Sequence, residues 1–459
     1  MISSFNRLLG RVLPKKQFLS QLYPRFISTE NSIDGEGFFP DLPLEEYKDR
    51  QRLLLSNLPP KSSIIVTSSS IKYMSWNIPY EYRQNANFNY LCGILEPNMV
   101  LLLSRSSEKK LSEVDSILFM SKNQNSPDNI SNQSFTSDDI KSNFQISEVY
   151  DLKEMPTKMS EYISKSENIY TSISDDSQLD DQIQTILKSC SNSFKVESLI
   201  PSIESLRWRK TPAEQKHLRH GGMVNVAAFL DVMERIQIGN PEYMLNSIYE
   251  FGVKARGGTR MAYPPFIASG NNRCSYTYQN GKHHIQKNDT LLLDFGCELN
   301  SYSTILCRMK RFVNVNDEEK VIYDALQESY KQLLSTIQLE ECSLASLQDQ
   351  YIELITKLLI HMKIIKSTSL QQAIQQQLYK PFFPHFISLL LLLLYYYFIL
   401  FSCFLYSLKS LYFPPDDSIP KQFHNIGVRL KDTYIYSDKF RVENLTQRCD
   451  YNIVDSKGI

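Results

Sequence analysis

A chain of 459 residues has room for two or three domains of ordinary size, each with its own buried core. Lys plus Arg and Asp plus Glu each total 50, a formal net charge of +0, which excludes the broad basic surface needed by nucleic acid or anionic lipid and directs the search for partners to pockets. The eight cysteines include no C-x-x-C pair and no His/Cys cluster at zinc-finger spacing, so reduced thiols are expected rather than a disulfide framework or structural zinc.

In chain order, the first segment has a clear basic bias. Arg7, Arg11, Lys15, Lys16 and Arg25 all precede the first acid, Glu30, among serines and spaced Phe, Leu and Val. This reads as a mitochondrial transit peptide over 1–30, with a plain basic tail as the alternative. A mixed α/β domain is predicted over 40–195. An amphipathic stretch with Tyr47, Leu53, Leu54 and Leu55 leads to the apolar runs Ile64-Ile65-Val66 and Val100-Leu101-Leu102-Leu103, which read as strands. Residues 121–147 are rich in Ser, Asn, Asp and Gln with few large apolar residues, so a long loop or disordered insert is expected there.

A second domain is predicted over 200–455. Thr211-Pro212-Ala213-Glu214 offers a capping Thr, a Pro for the first turn and a Glu that reaches back, so a helix should run to about Ile236. His217 and His220 lie one turn apart on it, a spacing that could hold a metal, but no acid or third ligand accompanies them and solvated positions are expected. A helix over 243–253 precedes strands over 266–270 and 290–296; the second delivers Asp294 from a run of small and aliphatic residues, as a buried acid is presented to a site. Helices follow near 318–339 and 344–362. Residues 386–408 then carry no charge for about 23 positions, the length of a membrane helix.

Several blocks are specific. Tyr82-Arg83-Gln84-Asn85, Asn87-Phe88, Tyr90-Leu91-Cys92-Gly93 and Glu96-Pro97 resemble the signature of the N-terminal domain of aminopeptidase P enzymes, the Xaa-Pro aminopeptidase family. Leu206-Arg207 to Lys210, with Thr211-Pro212-Ala213-Glu214, is similar to the family's entry into its catalytic domain. Ala262-Tyr263-Pro264-Pro265, Gly270-Asn271 and Arg273, then Asp294 with Gly296-Cys297-Glu298, look most like its mitochondrial member, and Phe423 with Asn425-Ile426-Gly427-Val428-Arg429 resembles its last catalytic strand. The resemblance implies an α+β chain in which a mixed α/β N-terminal domain is followed by a pita-bread domain, a curved antiparallel sheet backed by helices, here disrupted at 386–411. It further implies M24-type metallopeptidase chemistry that removes an N-terminal residue preceding proline. Two divalent metals, typically manganese, are held in the family by two Asp, one His and two Glu, and acidify a shared water.

Carried over position by position, most of that ligand set is missing. The first Asp matches at Asp294; the second should stand eleven residues on, shortly before the matching Arg308, and is Ile305. The histidine should follow His385 of Pro384-His385 by four residues, where Leu389 stands. The first Glu falls on Leu408 and the last on Lys431, and a further family histidine expected within 275–280 is absent. A single carboxylate cannot hold two dications, and a Lys beside them adds repulsion, so no dinuclear manganese centre is expected. His283 and His284, after the turn-like Asn280-Gly281, read as surface residues rather than substitutes. The resemblance leaves His385 and Arg429 as candidate substrate-binding residues.

The run 386–408 replaces the segment that would carry the histidine and the first Glu. It reads as a transmembrane helix that would sever the sheet, as a buried strand pair, or as read-through of non-coding sequence. The last is preferred, because Leu, Phe, Ser, Tyr, Ile and Cys are what pyrimidine-rich DNA encodes and the family pattern resumes near Tyr412. The favoured function is that of a catalytically impaired mitochondrial member of the family, with peptides carrying proline at the second position as partners. An active mitochondrial Xaa-Pro metalloaminopeptidase and a membrane-anchored non-enzymatic protein are the alternatives. Neither nucleic acid nor membrane is an expected partner, and a homo-oligomer is left open.

Overall fold

A computed structural model describes residues 42–105, 114–121, 136–172, 178–190, 194–275, 278, 281–312, 317–337, 344–364, 403–413, 420–424, 426–437 and 441–446. The N-terminal part runs α1 (Leu44–Ser56), β1 (Ser62–Thr67), β2 (Tyr73–Ser75), β3 (Ile78–Pro79), α2 (Ala86–Cys92), β4 (Val100–Ser104), β5 (Asp115–Met120), α3 (Ser137–Phe144), β6 (Glu148–Asp151), α4 (Met155–Ile163), β7 (Asn168–Ser172), α5 (Gln178–Ser189) and β8 (Lys195–Ser198). Its mixed sheet has the order β6-β5-β4-β1-β7-β8, with β1 antiparallel to β4 and parallel to β7. The apolar runs lack polar alternation because both faces are covered. Ile64, Val66, Leu101 and Leu103 pack with Leu54 and Phe88, whereas Ile65, Val100 and Leu102 pack with Met155, Met159 and Ile163.

The loop expected over 121–147 is only partly a loop. Ser137–Phe144 forms α3, started by a capping box in which Thr136 Oγ1 accepts from the Asp139 N–H while the Asp139 carboxylate accepts from the Thr136 N–H. Ile140 and Phe144, four apart, fix this helix to the core. Two apolar residues at helical spacing sufficed where overall composition indicated no packing; 122–135 lie outside the described residues.

The second part begins with α6 (Ile200–Trp208) and α7 (Pro212–Arg235), the latter capped by Thr211 and Glu214 as the sequence predicted. Then follow α8 (Glu242–Lys254), β9 (Arg260–Met261), β10 (Phe266–Ser269), β11 (Thr290–Leu299), β12 (Tyr302–Arg311), α9 (Asp317–Ile337), α10 (Leu344–His361), β13 (Cys403–Phe413), β14 (Ile426–Ser437) and β15 (Arg441–Asn444). The antiparallel sheet has the order β10-β11-β12-β14-β13, with β9 on β11 and β15 on β14. Phe229 and Val232 of α7 and Tyr249 of α8 pack on Leu291, Leu293 and Phe295; Ile322 and Leu326 of α9 and Ile355 of α10 pack on Met309, Val428 and Leu430. This is the pita-bread arrangement of a sheet backed by helices. Where a break was expected over 386–411, Cys403 onward forms β13. It pairs with β14 from Cys403↔Ile435 to Phe413↔Ile426, and a register shift between Tyr406 and Lys409 absorbs the irregularity. Residues 386–402 lie outside the described residues, among which no helix is long and apolar enough to cross a membrane.

The two parts meet through polar groups, most of them buried. Arg50 of α1 pairs with Glu214 at 3.3 Å, lies 3.3 Å from the Tyr302 hydroxyl and donates to the Tyr90 carbonyl at 3.0 Å. Its guanidinium also sits 4.1 Å from the Tyr90 ring centroid, in cation–π range. Tyr302 donates to Glu214 at 2.8 Å, Arg207 donates to Asn87 at 2.6 Å, and Arg83 pairs with Glu298 at 3.0 Å.

Candidate functional site

β11 and β12 are registered with Asp294 opposite Cys307, and β12 and β14 with Cys307 opposite Lys431. Opposed residues of antiparallel strands project to the same face, and strand alternation adds Ile305 and Arg429 to it. The sheet therefore gathers Asp294, Ile305, Cys307, Arg429 and Lys431 on one side.

Asp294 is 1% exposed. Its Oδ1 accepts from the Tyr263 hydroxyl at 2.7 Å, and its Oδ2 accepts from Arg429 Nη1 at 2.9 Å and Lys431 Nζ at 2.8 Å. Tyr263 can approach because Gly296 follows: a Cβ there would stand 2.7 Å from a Tyr263 ring carbon and 3.2 Å from the Thr304 carbonyl oxygen. Burial pushes the Asp294 carboxyl up, but the charges of Lys431 and Arg429, with hydrogen bonds from Lys431 and Tyr263, outweigh it and hold the group below its ordinary range. Burial first, and then the Asp294 charge, push the Tyr263 phenol well above its usual range, which keeps it a donor.

The remaining sequence-derived positions fall around this cluster or outside it. Ile305, 4% exposed, exchanges backbone hydrogen bonds with the Thr433 hydroxyl at 2.8 and 2.9 Å and brings no ligand atom. Leu408 lies in β13, within its register shift. Leu389 and His385 lie outside the described residues. Arg429, a candidate for substrate binding, has its Nη1 on Asp294. Arg308 points to the other face, where it pairs with Asp432 at 2.6 Å and donates to the Lys431 carbonyl at 2.8 Å.

The histidines stand apart. His217 was expected to be solvated, but it is half-buried: its Nε2–H donates to the Leu299 carbonyl at 3.0 Å and its ring meets Tyr302 edge-on. His220 is exposed, as is His284, and His283 lies 3.5 Å from Asp289 near the surface. Among the described residues no group of three or more His, Cys, Asp or Glu converges where a metal could sit. The groups bonded to the Asp294 carboxylate are an ammonium, a guanidinium and a protonated phenol, all donors of hydrogen bonds, and burial first, then the Asp294 charge, push the Cys307 thiol beside it well up, which keeps it protonated. This set does not fit a dication.

Sequence reading singled out Asp294, Arg429 and Lys431 but gave Tyr263 no role and did not pair Lys431 with Asp294. Alternation was the available signal: 429 and 431 are two apart on one strand, so both cations face the same way.

Comparison with known proteins gives this arrangement its context. Residues 47–170 match the family model for the aminopeptidase P N-terminal domain, and 216–391 match metallopeptidase family M24. The mitochondrial intermediate cleaving peptidase 55 of Arabidopsis thaliana is 26% identical over 409 residues, covering 87% of this chain and 79% of its own. Xaa-Pro aminopeptidase 3 of Dictyostelium discoideum is 25% identical over 431 residues, covering 88% and 80%. The solved structure of proline aminopeptidase P II from Yersinia pestis superposes with a TM-score of 0.76 at 20% identity, covering 90% of this chain and 98% of that one. With both domains present in that order, and relatives matching over most of its length, the chain belongs to the Xaa-Pro aminopeptidase family, within the M24 metallopeptidases.

Proposed function

We propose that this chain is a pseudo-peptidase of the family, retaining its architecture but not its metal-dependent cleavage. The observation that carries the reading is Lys431 Nζ, 2.8 Å from the Asp294 carboxylate, at the position where the resemblance puts the last ligand Glu. A dication introduced about 4 Å from a unit cation meets repulsion of roughly 8 kcal/mol at an effective dielectric of 20. Asp294, with Ile305, Leu389, Leu408 and Lys431 at the other ligand positions, cannot offset that. Manganese is therefore not held as a dinuclear pair. In this reading His385 and Arg429 serve peptides with proline at the second position, bound without hydrolysis. The basic, acid-free opening over 1–30 supports mitochondrial delivery, ahead of an N-terminal domain over 40–195 and a pita-bread domain over 200–455.

Purified protein should contain far fewer than two manganese ions per chain and release no N-terminal residue from an X-Pro peptide in manganese buffer. Stoichiometric manganese, or cleavage lost on Asp294→Ala, sinks the reading. A second reading, an active enzyme made from a message lacking the apolar run, rests on the family pattern resuming near Tyr412, beyond the run. Sequencing the transcript across 383–414 separates the two: a spliced message that restores a His-bearing segment supports the enzyme, and an uninterrupted one supports the pseudo-peptidase.

A further inference from the structure

The sheet of the second domain has a seam. β11 and β12 are registered without interruption from Thr290↔Arg311 to Leu299↔Tyr302, whereas β12 and β14 share one registered pair, Cys307↔Lys431. Side chains fill in for the missing ladder. Thr433 Oγ1 accepts from the Ile305 N–H and donates to its carbonyl, and Arg308 ties Lys431 O and Asp432 together. All of these link neighbouring strands. Asp294 and Lys431 are different, because β12 lies between them and their backbones are about two strand spacings, roughly 9.5 Å, apart. The Lys stem passes over Cys307 to reach Asp294, with its ammonium 5.4 Å from the Tyr263 ring centroid. Only 14% of the Lys431 side chain and 2% of Asp294 are exposed.

We propose that Lys431 is a tethered counter-cation that neutralises Asp294 from within the chain and straps β11 to β14 across this seam. The proposal rests on the reading that no dinuclear centre forms, and it adds what holds the sheet in its place. A metal ion would join the two strands by binding acids from both; here covalently carried charge does so, from Lys431 and from Arg429 on the same strand, and its occupancy does not depend on metal supply. Arg429 holds Asp294 from the same strand as Lys431, so the anion is shared by two cations. Removing Lys431 leaves Asp294 with a single cation; removing the Asp294 charge leaves two cations facing one another.

That asymmetry supplies the test. Full-length protein, Lys431→Met, Asp294→Asn and the double variant are unfolded thermally, each with EDTA and with manganese chloride. Lys431→Met is expected to lower the midpoint of the natural chain by roughly 5–10 °C. In the Asp294→Asn background the same substitution is expected to raise it, because it relieves repulsion between Lys431 and Arg429. Lys431→Arg should retain most of the natural midpoint, and neither EDTA nor manganese should move it. Equal effects of Lys431→Met in both backgrounds, with no effect of EDTA, overturn the strap alone. A natural midpoint that falls in EDTA overturns the absence of a dinuclear centre and the strap with it. Should the Asp294→Asn variants fail to fold, equal losses for Lys431→Met and Lys431→Arg overturn the proposal, and a smaller loss for Arg supports it.

Discussion

Arg50 at the junction of the two domains and Asp294 in the antiparallel sheet are both charged and both almost fully buried, at 3% and 1% exposure. Each satisfies the requirement that a buried charge be paired and hydrogen-bonded, but from different sources. Around Arg50, besides Glu46 of its own helix, the partners are from other elements: Tyr90, Glu214 and Tyr302, with Arg207 and Asn87 paired beside them. Four of these five, Asn87, Tyr90, Arg207 and Glu214, stand in the blocks that carry the family resemblance, as do Arg83 and Glu298 of the neighbouring ion pair. Around Asp294 the partners Tyr263 and Arg429 stand in such blocks, and Lys431, which completes the cluster, stands outside them. The family blocks in this chain therefore report largely on how two domains dock, and only weakly on chemistry.

The comparison is most exposed to a substitution at Arg50. Arg50→Met should cost about 3–5 kcal/mol, because it strands the Glu214 carboxylate in a buried setting. Denaturant unfolding checks this, and a loss below about 1 kcal/mol would mean that the junction is not held by charge pairing. Next comes Gly296, which allows Tyr263 to reach Asp294. Gly296→Ala forces a Cβ to within 2.7 Å of the Tyr263 ring and should cost about 1–3 kcal/mol by overpacking. If the same substitution in the Asp294→Asn background costs as much, Tyr263 matters for packing and not for its hydrogen bond.

A third buried acid sharpens the comparison through pH. Glu319, 2% exposed, accepts from Thr290 Oγ1 at 3.0 Å and pairs with Arg273 at 3.2 Å, but burial outweighs Arg273 and raises its carboxyl above the ordinary range. A raised folded value means that the ionised form is the disfavoured one, so stability from Glu319 is fully present below the unfolded value and is lost as pH rises through the folded one. Relative to Glu319→Gln, the natural chain should lose ground as pH rises from about 4.3 and then level off. Paired unfolding midpoints across that interval measure it; a difference moving the other way would place Glu319 with Asp294, as an acid whose cations prevail.

Much of the fold was legible because its signals are local. The cap at Thr211 and Glu214 and the apolar runs at 64–66 and 100–103 are each written within a few residues. The helix at 137–144 was missed because Ile140 and Phe144 are diluted in a polar segment, so composition outvoted spacing. At the site, the departures at Ile305 and Lys431 were readable one by one. What they do together was not, since the contact of Lys431 with Asp294 depends on β14 lying beyond β12 in the sheet, a neighbourhood that no short window of sequence encodes.

The two cations on Asp294 also bear on how such a chain can change over generations. Once Lys431 and Arg429 face inward, loss of the acid leaves like charges in the sheet, while gain of an acid at 431 removes the strap before any metal can replace it. With the strap as proposed, each single step toward a metal centre passes through a less stable protein, so the arrangement acts as a ratchet. Asp294 would then be kept by selection for folding alone, and its presence among descendants of this chain would say nothing about whether they cleave peptides.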